Sequence, residues 1–150
     1  MKGAAAQPGI SVHNRQRKIA LDREKLERFA KQAVSFCLRE RSRGPGLTSL
    51  EEIHVVLISD PRISELHRRF MGIDGPTDVI TFQHGEIFIS VETARRQARA
   101  HRTSLAHELR LYLVHGLLHL HGFDDHSPAA GRLMVSVQGK IVARAGLAGG

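Results

Sequence analysis

The stretch from Leu105 to Leu120 constrains the fold of this chain more than any other. Leu105, Leu109, Tyr112, Leu113, Leu117 and Leu120 recur at three- and four-residue steps, which places them on one face of an α-helix. Gly122 follows, where the chain past a helix end needs a residue tolerant of the left-handed conformation. Such a helix needs an apolar surface to pack on, and short runs supply it. Ile53–Ile58 (IHVVLI) reads as a buried strand, TDVITF (77–82) alternates as a strand does, and EIFIS (86–90) reads as its hairpin partner across a tight QHG connection.

The remaining elements follow the same logic. Residues 1–9 are expected to form a flexible N-terminus, and Ile10–His13 a short first strand. From Asp22, apolar residues at helical spacing (Leu26, Phe29, Ala33, Cys37 among them) predict a helix of about 18–20 residues, ended by the Gly and Pro of RSRGPG (41–46). Ser59 or Asp60 caps a helix with Pro61 in its first turn, running to about Phe70. Further helices are expected over Val91–His101 and from Ser127-Pro128 to about Ala145. The order strand, helix, strand, helix, strand, strand, helix, helix, helix predicts one α+β domain over 10–150, a small mixed β-sheet packed with helices.

Composition narrows the function. One cysteine, Cys37, excludes an internal disulfide and points to a reducing compartment, so a cytoplasmic location is expected. No apolar run approaches the roughly 20 residues of a membrane helix, and the start of the chain has no secretory pattern. The formal charge of +7, from 22 Lys and Arg against 15 Asp and Glu, favours polyanionic partners, nucleic acid first. One Tyr and no Trp argue against a base-stacking platform of the usual single-strand-binding kind.

Ten histidines matter only where some converge. His115 and His119 are four apart on the predicted helix, so both imidazoles leave one face. Gly122 lets the chain turn back, and His126 supplies a third nitrogen. Three protein ligands with one open position is the arrangement of a catalytic zinc. The residue after the first histidine is Gly116, where H-E-x-x-H metalloproteases carry a glutamate base, so a peptidase of that kind is disfavoured. His121, His54, His101 and His107 read as structural, Asp124 and Asp125 as turn residues.

HGLLHLHGFDDH (115–126) resembles the H-G-x-L-H-L-x-G-Y-D-H signature of the YbeY family of endoribonucleases and rRNA maturation factors. LHRRFMGIDGPTDVITF (66–82) and GEIFIS (85–90) are similar to two further blocks of that family, in the family's order. The resemblance implies one divalent metal, of zinc type, on His115, His119 and His126. It also implies cleavage of single-stranded RNA, and roles in small-subunit rRNA 3′-end maturation and ribosome quality control.

Three departures stand out. An extra aspartate displaces His126 by one residue, the strand-to-strand connection is short, and Met71 stands where the family carries an arginine. Arg68 and Arg69 are the candidates to replace that arginine, Arg68 first because it lies three residues back on the same helix. The metal is expected in an electropositive cleft beside Glu86–Ser90 and the turn at Gly72–Thr77. Two other readings compete: an RNA-binding ribosome-assembly factor with a structural metal and little turnover, and another zinc-dependent hydrolase.

Overall fold

The computed structural model describes residues 7–148. Residues 1–6, most of the stretch expected to be flexible, lie outside the described residues. At Gln7 the chain is already tied to the first helix, donating from Nε2 to the Lys31 carbonyl (3.3 Å) and accepting from Ser35 Oγ (2.7 Å).

Four strands, β1 (Gly9–Asn14), β2 (Glu52–Ile58), β3 (Val79–Phe82) and β4 (Glu86–Ser90), form one sheet in the order β1-β2-β4-β3. β1 and β4 both run parallel to β2, while β3 pairs antiparallel with β4 as the expected hairpin, Phe82 opposite Glu86. The sheet is therefore mixed, with helices on it, as the element order predicts. β3 begins two residues later than the alternation implies. Asp78 closes that entry, its carboxylate accepting from Val79 N–H (2.8 Å) and its carbonyl from Ser90 N–H (3.0 Å).

Among the described residues there are five α-helices: α1 (Arg23–Leu38), α2 (Asp60–Met71), α3 (Val91–His101), α4 (Leu105–Leu120) and α5 (Pro128–Ala148), the last packed on α1 and α4. α1 has 16 residues, fewer than its periodicity implies. Its last turn tightens where Arg39 N–H bonds the Phe36 carbonyl, and the chain leaves the helix before the Gly-Pro segment is reached. α2 is capped by Ser59 and ended by Gly72 in the left-handed conformation. Its first residue, Asp60, accepts from Thr93 Oγ1 (2.7 Å) and Arg96 (2.6 Å) of α3. Burial opposes ionisation of Asp60, but these bonds and the Arg96 charge outweigh it and hold the carboxyl below its ordinary range.

α4 is the centre of the domain. From Glu108 onward only Arg110, Leu111, His115 and His119 are not buried. The helix is thus covered on nearly every side rather than on the single face its leucine spacing implies. β3, β4, α1, α3 and α5 all pack against it. Gly116 permits the approach of the sheet, since a Cβ there would stand 2.7 Å from Ile87 Cγ2. Cys37 lies in the same core, and burial pushes its thiol up to about 12, which keeps it protonated and unreactive. Among the described residues no helix is long and apolar enough to cross a membrane.

Candidate metal centre

Leu111, His115 and His119 are spaced by four residues and form the partly open stripe of α4. The imidazoles of His115 and His119 meet edge to face, with ring centroids 4.6 Å and Nε2 atoms 3.1 Å apart. From α5, Gln138 Oε1 stands 2.9 Å from His115 Nδ1. An amide oxygen only accepts, so that proton belongs to Nδ1, and His115 presents an Nε2 lone pair towards His119. Burial lowers the pKa of His119, and repulsion from His115 adds to this; Asp125, the Phe123 backbone and Asp124 work in the opposite direction. The neutral imidazole, the form that ligates, is therefore favoured.

Two nitrogens bound to one tetrahedral zinc at roughly 2.0–2.1 Å stand about 3.3–3.4 Å apart. The observed 3.1 Å is close to that bite. Two imidazoles with one Nδ1 anchored by an outer hydrogen bond are also the donor chemistry a divalent metal of zinc type accepts. The pair fits such a metal.

His126 is not drawn in with the pair. Its backbone N–H donates to Asp124 Oδ1 (2.9 Å), folding a short aspartate turn, and its ring stays 86% exposed, 3.7 Å from the same carboxylate. The physical reason is the turn itself, which curls on Asp124 after Gly122 and leaves the ring outside. Among the described residues no three His, Cys, Asp or Glu side chains stand together as a ready metal cage. His126 does share with His115 a hollow also lined by Asp125, Arg132 and Val135.

On the other side of the pair, a cavity is lined by Met71, Val79, Ile80, Thr81, Gln83 and the two histidines. This corrects the expected surroundings. The wall is β3 and the end of α2, because β3 is the sheet edge against α4, while β4 lies one strand inward with Ile87 beneath Gly116. Nor does this wall carry an arginine or lysine. Met71 reaches it, whereas Arg68 and Arg69 are exposed outside it, the Arg69 guanidinium 5.5 Å from the Phe70 ring centre.

The other histidines behave as structural groups. His121, 3% exposed, accepts from Leu47 N–H at Nδ1 (3.1 Å) and donates from Nε2 to the Glu40 carbonyl (2.8 Å), pinning the loop after α1 to the end of α4. His67 closes the turn onto the Gly75 carbonyl, and His54 pairs with His13 on the outer sheet face.

Gln138 escaped the sequence reading. Its signal is there, a polar residue four after Met134 and three before Ile141 on an otherwise apolar helical face. Gln138→Ala is expected to lower affinity for the metal about 10- to 100-fold while leaving the melting temperature nearly unchanged. Competition with a chromophoric chelator measures it, and Gln138→Glu, which still accepts from Nδ1, should recover most of the loss.

A buried helix presenting two imidazoles beside a mixed four-stranded sheet defines a small α+β protein with a paired-histidine centre. The chain belongs to the Endoribonuclease YbeY family, whose profile matches residues 11–146. It is 33% identical to the Endoribonuclease YbeY of Moorella thermoacetica over 91% of this chain and 97% of that protein. It is 39% identical to that of an Anaeromyxobacter species over 65% of this chain, a match spanning only 56% of the relative's length. A solution structure from Thermotoga maritima superposes with a TM-score of 0.63 at 27% identity, over 91% of this chain and 88% of the other. The family is one of enzymes, its curated relatives being named endoribonucleases, nucleases that hydrolyse RNA.

Proposed function

We propose that this chain is a metal-dependent endoribonuclease that cuts single-stranded RNA, with the 3′ end of small-subunit rRNA as its target and the small ribosomal subunit as its partner. The observation that carries the reading is the His115–His119 pair with its Nε2 atoms 3.1 Å apart. His115 and His119 would hold the metal from the helix, with His126, which lines the same hollow as His115, as the third ligand. When bound, a divalent metal polarises a phosphate oxygen and makes a water molecule nucleophilic near neutral pH. Gln138 keeps His115 in the ligating tautomer. Arg69 and Arg68, at the rim, hold the phosphates flanking the scissile one and stabilise the charge that develops there. Water adds to phosphorus, one backbone P–O bond breaks, and the departing oxygen takes a proton.

The test is product analysis on a single-stranded RNA carrying that 3′ end, with and without chelator. Internal cuts that vanish with EDTA and return with zinc are the expected result. Metal-independent binding without cuts overturns it and favours the assembly-factor reading. The +7 charge fits that alternative equally well, since charge alone gives salt-dependent RNA affinity without turnover.

A further inference from the structure

The end of α2 leaves three large apolar side chains in water within four residues: Phe70 at 56% exposure, Met71 at 48% and Ile73 at 52%. They account for half of the six large hydrophobics exposed among the described residues. Single exposed apolar residues need no explanation, but a contiguous group at the mouth of a functional cavity does.

Aromatic contacts brace its first member. The Phe70 ring meets Phe82 edge to face at 5.2 Å, and Phe82 in turn meets Phe88 at 5.7 Å and stacks on exposed His84 at 6.0 Å. Phe70 is thus an aromatic surface braced from the sheet and open to solvent. Its neighbour Met71 lines the cavity with His115 and His119. The Arg69 guanidinium lies 5.5 Å from the Phe70 ring centre, and Arg68 adds a second exposed cation against the single carboxylate of Asp74 in the following turn.

We propose that Phe70, with Met71 and Ile73 beside it and Arg69 at its edge, is a nucleobase-stacking subsite that seats an unpaired base of RNA next to the histidine pair. The proposal rests on the reading of the chain as a protein that acts on single-stranded RNA. The chemistry matches that ligand on both counts. An unpaired base offers a flat apolar face to a phenyl ring, and the phosphate beside it offers an anion to a guanidinium. A duplex hides its base faces, so the subsite also selects single strands. In this chain an apolar Met71 at the cavity wall extends the stacking surface, where an arginine there would instead hold a phosphate.

The experiment measures binding in EDTA, so that neither metal nor turnover enters. A fluorescent single-stranded RNA is compared with an abasic strand of equal length and charge. The wild type should prefer the base-bearing strand, and Phe70→Ala should weaken that strand on the order of five- to a hundredfold while leaving abasic binding unchanged. Arg69→Ala should weaken both strands alike and lower the salt slope by about one. Phe70→Trp should keep the preference. The protein has no tryptophan, so that variant's emission should be quenched by the base-bearing strand alone.

Equal affinity of wild type and Phe70→Ala for the base-bearing strand overturns the subsite and leaves the nuclease reading intact. A wild type that binds no RNA in EDTA overturns the subsite too, while the nuclease reading stands or falls on cleavage in the presence of metal. Concentration-dependent self-association that Phe70→Ala abolishes, with RNA affinity unchanged, overturns the proposal in favour of a second copy of this chain on the patch.

Discussion

His119→Ala is expected to lose bound divalent metal and RNA cleavage together while remaining folded. The side chain sits on the partly open stripe of α4, and the packing there is carried by its fully buried neighbours Leu117 and Leu118. Alanine is the best helix former, so truncation costs the helix nothing. Losing a metal that stabilises transition-state charge by several kcal/mol lowers the rate about a thousandfold or more. His115→Ala should match it, with Gln138 left without its partner. His126→Ala separates the ligand roles. Its ring makes only an exposed contact to Asp124, so any loss of metal in that variant reports ligation and not lost packing. Metal content by mass spectrometry, cleavage rate and thermal unfolding should be read on the same preparations. Normal cleavage by His119→Ala would sink the metal mechanism. A wild type that melts far lower in chelator would mean the metal holds the fold instead.

The sheet and helices were largely legible because their signals are local. The Ser59-Asp60-Pro61 start and Gly72 stop of α2 act within one turn, and the β3–β4 hairpin follows from two apolar runs with Gly85 between them. The pairing of His115 with His119 was legible for the same reason, since it depends only on helix geometry. The rest depends on what meets across the fold. The leucine face of α4 does not announce that its other sides are buried too, because that is decided by α1, α3 and α5 packing around it. The turn holding His126 depends on which way one extra aspartate curls. Aromatic content understated the surface in the same way. Six phenylalanines are few, but Phe70, Phe82 and Phe88 come from one helix and two strands and converge at one edge. A tally cannot show that convergence.

Gly116→Glu, which writes the H-E-x-x-H peptidase pattern into α4, is expected to destabilise the protein and not to create a peptidase. The position following His115 is not free here. A Cβ on residue 116 would stand 2.7 Å from Ile87 Cγ2, 2.9 Å from Cδ1 and 3.0 Å from Cγ1. Ile87 is fully buried in β4, held between β2 and β3, and has nowhere to retreat. Overpacking of this kind costs about 1–3 kcal/mol. The rest of the glutamate would then place a carboxyl against the aliphatic Ile87 side chain, a further 1–3 kcal/mol or so even when protonated if it finds no donor. Better helix propensity returns only about 0.5 kcal/mol. The net loss, about 1.5–5.5 kcal/mol, is a large part of the roughly 5–15 kcal/mol that holds a domain together. For a chain of this length that corresponds to a drop of about 5–20 °C in melting temperature. Gly116→Ala isolates the steric part and should fall by only a few degrees. A Gly116→Glu protein that melts with the wild type would mean that α4 sits farther from the sheet than this structure has it, and that its glycine serves the chemistry and not the packing.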